Sequence, residues 1–397
     1  MSLHSSTSQN ATDVRSFSAR FPDSELADLR ARLAATRLPE REPLDPSARG
    51  ADRWVQGVPL ADLADLLDYW QSDYDWRRFE ERLNAIGQFR TEIDGLDIHF
   101  LHRRSSRADA VPLVMTHGWP GSVAEFVGVI DDLADPEDDT APAFHVVAPS
   151  LPGFGFSERP KITGWGTEQI ASAWVSLMGR LGYERFLAHG GDWGGPVTTI
   201  LGARFAENVI GIHSTFAEAV PGANPDVLTD SERAGADSHH DFWRNRAGYA
   251  KAQANRPQTV GYGLVDSPVG LLSWIFDKFA EWSDTEETPF ETIDRDRFLD
   301  NVTLYWLTST GASAARIYWE SHDSLDPQLR VDVPAAVTMY PKDISSKCPR
   351  PWAEQRYRQI VRWREPARGG HFPSLEMPGR FVEDLRSGLA AVLTVSR

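Results

Sequence analysis

Between residues 111 and 219 the chain repeats one construction four times. A short apolar run breaks at glycine, proline or a polar residue, and a helical stretch or loop follows: "VPLVMTHGWPGS", "AFHVVAPSLPGFGFS", "ERFLAHGGDWGG" and "NVIGIHSTFAEA". Strands that are apolar on both faces and alternate with amphipathic helices belong in a largely parallel sheet covered on both sides. In such a sheet a functional site is expected in the loops at the carboxyl ends of the strands. Strand character returns at "VPAAVTMYPKD" and "IVRWREPARGGHF", and "RFVEDLRSGLAAVL" reads as a closing helix.

The flanking segments read differently. From Arg15 to about Arg90 the pattern is helical and aromatic, with Leu26, Leu29, Leu33 and Leu38 near helical spacing before Pro39. A second run puts Leu60, Leu63, Leu67 and Trp70 on one face and ends near Gly87. Neither run holds a convergent set of polar groups, so both are expected to pack as plain helices on a neighbouring unit. "FRTEIDGLDIHFLHRR" alternates around Asp94-Gly95 and predicts a β-hairpin. From about Val220 to Asp326 the alternation stops and the chain is helical and rich in tryptophan and tyrosine. The expected organisation is a helical extension with the first hairpin of the sheet (1–105), an α/β core (106–219), an inserted helical lid (220–328) and the rest of the core (329–397).

Composition narrows the function. At 397 residues and 41% hydrophobic, the chain can bury a large core. No apolar run reaches the roughly 18 residues of a membrane span, and the polar start "MSLHSSTSQNATDVRS" lacks a signal-peptide core, so a cytoplasmic protein is expected. A formal net charge of −16 argues against nucleic acid or an anionic membrane as partner and leaves a neutral apolar small molecule compatible. One cysteine, Cys348, excludes an internal disulfide and a multi-cysteine metal site. His239 and His240 lack a third well-spaced ligand, so neither metal nor cofactor is expected.

In "LAHGGDWGGPVT" a strand runs through glycines into a helix, and Asp192 stands on the turn. An aspartate there can be an ordinary helix N-cap. Chain order weighs against that: Asp343 follows the strand "AAVTMYPK", and His371 follows "IVRWREPA". Nucleophile, acid and histidine thus arrive in the order of an α/β-hydrolase triad, each at the carboxyl end of a strand. A carboxylate needs no deprotonation and suits in-line attack on a saturated carbon, giving an alkyl ester. His371, oriented by Asp343, would then activate water, and the N–H groups of Trp119 and Trp193 would hold the oxyanion. The leaving group is an epoxide oxygen or a halide. An opening epoxide needs an O–H donor, and the lid offers Tyr249, Tyr262, Tyr305 and Tyr318.

At this point the chain resembles the microsomal-type (xenobiotic) epoxide hydrolases. The likeness runs almost end to end, through "FPDSELADLRARLAATRLP", "YDWRRFEERLN", "IDGLDIHFLH", "THGWPGS", "GGDWGG", "VGYGLVDSPVGLLSWIFDKFAEW", "NVTLYWLTSTGASAARIYWES", "YPKDI" and "RGGHF". The resemblance implies an α/β-hydrolase fold with a lid and a wrapping N-terminal extension, and conversion of epoxides to vicinal diols without a cofactor. It implies Asp192 as nucleophile, His371 as base, Asp343 as its acidic partner, and Tyr249 with Tyr318 as the pair polarising the epoxide oxygen. Bacterial members of this family degrade foreign compounds or serve natural-product assembly, and arginine's dominance over lysine associates this chain with a GC-rich bacterial genome. Trp119, Trp193, Phe154, Trp274 and Trp306 are the expected pocket walls and favour aryl-bearing epoxides. A haloalkane dehalogenase and a non-catalytic ligand-binding scaffold are the alternatives, and a homodimer is compatible with the chain without being specified by it.

Overall fold

The computed structural model describes residues 13–217, 228–321, 326–344 and 348–396. Its frame is a nine-stranded sheet of order β1-β2-β3-β5-β4-β6-β7-β8-β9. The strands are β1 (Arg15–Phe17), β2 (Gln88–Ile93), β3 (Leu96–Arg103), β4 (Val111–Thr116), β5 (Phe144–Pro149), β6 (Phe186–Gly190), β7 (Val209–Ser214), β8 (Ala335–Thr338) and β9 (Ile360–Arg364). From β5 to β9 all neighbours run parallel, while β1, β2 and β3 form an antiparallel edge joined to β5. This is the α/β-hydrolase architecture. The apolar runs build it because Leu113, Val114 and Met115 of β4, and Phe186, Leu187 and Ala188 of β6, are buried on both faces. The predicted hairpin forms at Asp94-Gly95, where both residues take positive φ.

The helices divide into three groups. Ahead of the hairpin lie α1 (Asp23–Ala34), α2 (Leu60–Ser72) and α3 (Trp76–Ile86). Within the parallel region come α4 (Ile130–Ala134), α5 (Thr167–Arg180) and α6 (Gly194–Arg204). Between β7 and β8 stand α7 (Asp230–Asp241), α8 (Gly248–Asn255), α9 (Pro257–Asp266), α10 (Pro268–Trp282), α11 (Arg295–Leu307) and α12 (Gly311–Glu320). Short α13 (Arg350–Arg356) and α14 (Pro373–Glu376) follow, and α15 (Pro378–Val395) closes the chain against β7 and β8. The expected border between residues 219 and 220 falls in 218–227, outside the described residues. Among the described residues no helix is long and apolar enough to cross a membrane.

The amino-terminal region departs from the all-helical expectation. Arg15–Phe17 is a strand paired with Gln88–Arg90, and three residues are too few to show an alternating pattern. Helix α1 stops at Ala34, so Leu38 lies beyond it and is 40% exposed. Pro39 already disfavours a helical Leu38, and the final turn tightens with Thr36 N–H donating to Leu33 O. The second run is two helices, because Asp75 caps α3 by accepting from Arg77 N–H.

These helices brace the lid. Leu63, Leu66, Leu67 and Trp70 are the buried face of α2, each contributing about 2 kcal/mol by leaving water. The polar edge of the same segment bonds α11: Tyr69 Oη donates to Asp296 at 2.9 Å, Trp70 Nε1 to Thr303 at 3.0 Å, and Tyr74 Oη to Asp300 at 2.9 Å. Helix α11 in turn holds the loop after β4. Asn301 Nδ2 donates to Pro120 O at 2.8 Å, and Tyr305 Oη donates to Gly121 O at 2.7 Å.

Candidate active site

Strand β4 has β5 on one side and β6 on the other, so the loops after β4 and β6 meet where the sheet order reverses. Asp192 stands on the second of these loops with φ of 47°, a left-handed conformation that costs a non-glycine residue about 1 kcal/mol or more. The turn is tight enough that a Cβ on Gly194 would lie 2.0 Å from Thr116 O, and a Cβ on Gly118 would lie 2.0 Å from Asp192 Oδ1. Asp192 does not cap α6. Trp193 is the N-cap residue there, and no side chain caps it. The carboxylate instead accepts the Trp119 backbone N–H on Oδ1 at 2.7 Å and turns Oδ2 to His371 Nε2 at 3.3 Å.

His371 hydrogen-bonds Asp343 through Nδ1 at 2.7 Å, and all three side chains are largely buried. Burial opposes a charge on the imidazole, but the carboxylates of Asp343 and Asp192 outweigh it and raise its pKa well above the usual histidine value. The two carboxylates thus favour a proton on the ring. Its backbone is fixed too: His371 N–H donates to Trp282 O at 2.8 Å. Gly370 N–H and Phe372 N–H, on either side of it, both donate to the buried Glu376 carboxylate.

Two lid tyrosines reach the same place. Tyr249 on α8 stacks on Trp119 at 5.1 Å, and Tyr318 on α12 stands perpendicular to Tyr249 at 5.7 Å and edge-on to Trp193 at 4.9 Å. Both phenols are pushed well above the usual tyrosine pKa, first by burial and then by negative charge nearby, including Asp192. They remain O–H donors. A cavity of about 750 Å³ opens beside them, lined among others by Asp192, Trp193, Phe216, Phe242, Tyr249 and Tyr318.

Other expected residues lie elsewhere. Phe154 packs edge-on against His117 and Tyr305, Trp274 Nε1 donates to Gln253 at 3.1 Å, and Trp306 meets the Arg32 guanidinium of α1. None of the three lines the cavity. Aromatic character marks all three for burial, but the loop after β5 turns Phe154, and α10 and α11 turn Trp274 and Trp306, toward neighbouring elements. Trp119 is buried under Tyr249 and contributes its amide. Of Trp193 the structure shows the indole, which lines the cavity. Tyr262 is 69% exposed, and the Tyr305 hydroxyl is engaged with Gly121. His189 is a core residue bonded to His213 at 3.0 Å, and His117 accepts the Leu151 N–H at 3.1 Å.

Sequence reasoning passed over Glu125, Glu376 and Asn301. A charged residue inside the apolar run "SVAEFVGVI" and a second within "FPSLEMP" were the available signals, because a carboxylate in a buried segment needs partners or a task.

The chain is similar to known epoxide hydrolases. The family profile "Epoxide hydrolase N terminus" matches residues 14–126 and the alpha/beta hydrolase fold profile matches 111–259. A Stigmatella aurantiaca protein named as a candidate epoxide hydrolase is 46% identical over 94% of this chain and 84% of its own length. Epoxide hydrolase 1 of Sus scrofa is 32% identical over 94% of this chain and 88% of its own. Among solved structures, Aspergillus niger epoxide hydrolase superposes with a TM-score of 0.83 at 33% identity, covering 96% of this chain and 97% of that one.

Proposed function

The chain belongs to the epoxide hydrolase family, enzymes of the α/β-hydrolase fold that hydrolyse epoxides, and from that premise we propose that it converts apolar, aryl-bearing epoxides to vicinal diols through an ester on Asp192. The observation that carries the reading is that Asp192 and the Tyr249/Tyr318 pair line one aromatic-walled cavity, with His371–Asp343 hydrogen-bonded in turn behind the carboxylate.

In the first step Asp192 Oδ2 attacks an epoxide carbon, the ring C–O bond breaks, and its electrons go to the oxygen beside the tyrosines. That oxygen takes a proton from a phenol. The phenol is made whole by the proton His371 carries at rest, because esterified Asp192 no longer supports the imidazolium. Charge balances: carboxylate and imidazolium are replaced by a neutral ester and a neutral base. In the second step His371 takes a proton from water, hydroxide adds to the ester carbon, and the oxyanion rests on the Trp119 amide. Collapse breaks the acyl C–O bond, the diol leaves protonated, and Asp192 and His371 return to their charged forms.

The test is styrene oxide hydrolysis with a bromoalkane in parallel. Wild type should form diol and Asp192→Asn none. Bromide release without diol would transfer the chain to the dehalogenases, and neither product would refute the aryl-epoxide reading.

A further inference from the structure

We infer that Glu125 holds the hydrolytic water against the Asp192 ester, a positioning role in the second step of the reaction. The inference rests on the mechanism proposed above. Glu125 lies in the helical turn Val123–Phe126 that follows the Trp119 loop, a turn capped where Ser122 Oγ accepts from Ala124 N–H at 3.1 Å. Its carboxyl folds back over Gly121, where an added Cβ would sit 1.6 Å from Oε1. Gly121 is bare because that space is taken by the carboxyl.

Behind the nucleophile is a second cavity of about 20 Å³, lined among others by Asp192, His371, Glu125, Gly121 and Thr215. One water needs roughly 10–15 Å³ and two to four polar partners, so this volume suits a single molecule. Asp192 is the only described residue that lines both this cavity and the large one. Substrate therefore reaches its carboxyl from one side and water from the other, and His371 lines only the water side. A water there gives one O–H to His371 Nε2 and the other to a Glu125 oxygen, which turns its lone pair toward the ester carbon.

The charged and titratable groups around Glu125 fit an acceptor that is neutral at rest. Burial raises its pKa to about 8, His371 pulls it down and Asp192 pushes it up. Tyr305 approaches from α11, and the buried rings of His117 and His189, held near 4 and 3, add no charge. Asp343 stands behind His371.

The experiment separates the two steps in Glu125→Leu and Glu125→Gln by single-turnover kinetics and by mass spectrometry of the quenched enzyme. Slower ester hydrolysis lowers kcat and KM together and leaves kcat/KM unchanged, so Leu should cut both by about tenfold, the worth of one hydrogen bond, with ester accumulating. Gln keeps an acceptor oxygen and should stay within about threefold of wild type at pH 7 while losing any inflection near pH 8. Loss of kcat/KM without accumulated ester, or equal impairment by Gln and Leu, overturns the proposal. If Leu does not fold, Gln decides, since a wild-type pH profile in Gln also overturns it. Failure of the ester mechanism itself is distinct, because wild type would then form no ester at all.

Discussion

Tyr318→Phe removes one oxygen from the group opposite Asp192 and leaves the ring that packs on Trp119 and Trp193. The deleted hydroxyl is hydrogen-bonded to Tyr249, so two donors converge on the epoxide oxygen and one survives the change. Loss of one preorganised donor to a developing oxyanion costs about 10²–10³ in rate, and with Tyr249 retained the lower end applies, about 2.7 kcal/mol. The deficit belongs to ester formation. Pre-steady-state tryptophan fluorescence should thus show a burst slowed about a hundredfold, with kcat/KM falling in parallel and hydrolysis of preformed ester nearly unchanged. Unpairing the Tyr249 hydroxyl costs a further ~1 kcal/mol of stability, which moves the unfolding midpoint by only a few degrees in a chain this long. Because burial holds both phenols protonated, tyrosine ionisation should not limit the rate below about pH 10. A variant that forms ester within threefold of the wild-type rate would remove Tyr318 from the mechanism.

Replacing His371 with Gln should still allow a single alkylation, slowed by loss of the proton that remakes the phenol, and should block the second step. The expected readout is one equivalent of covalent adduct at Asp192 by peptide mass spectrometry, and steady multiple turnovers would contradict the role of base. A second expectation concerns stability. Burial raises Glu376 and Asp300 to about 7 and Glu125 to about 8, all above their unfolded values, so above pH 7, where the buried histidines are neutral folded or unfolded, these carboxyls hold protons that the unfolded chain has lost. The stability these groups contribute is full below about pH 4 and is lost as pH rises through 7 to 8; His371, also raised, adds to the same trend. Calorimetry should give a higher unfolding midpoint at pH 7 than at pH 8.5, a window above the range in which the buried histidines oppose the trend, and the reverse order would refute the assignment.

Much of this was readable in the chain because its signals are local. Short apolar runs that break at glycine, proline or a polar residue specify parallel strands, and Asp192, Asp343 and His371 each follow such a run. The tyrosine pair was legible only through resemblance: nothing in the spacing of Tyr249, Tyr262, Tyr305 and Tyr318 says which hydroxyl is spent on Gly121 and which ring is left in solvent. Phe154, Trp274 and Trp306 were misplaced for a related reason. Aromatic character states that a residue is buried and not against what. Glu125 and Glu376 escaped because their partners are backbone amides and a cavity, neither of which has a sequence pattern. β1 escaped because its existence depends on β2, about seventy residues away.

The bonds between the amino-terminal helices and α11 make the enclosure asymmetric. One flank of the roof is stapled to the floor through Trp70–Thr303, Tyr74–Asp300 and Tyr305–Gly121, and the same staples set the amide that Asp192 depends on. The other flank, α7 and α8 with Phe242 and Trp243 between them, carries no such ties to α2 or α3 among the described residues and forms the rim of the large cavity. The threshold at Phe242 and Trp243 can thus be recut to admit larger guests as long as α8 still holds Tyr249 in place, whereas a change in α11 would disturb the anvil on which the reaction is struck.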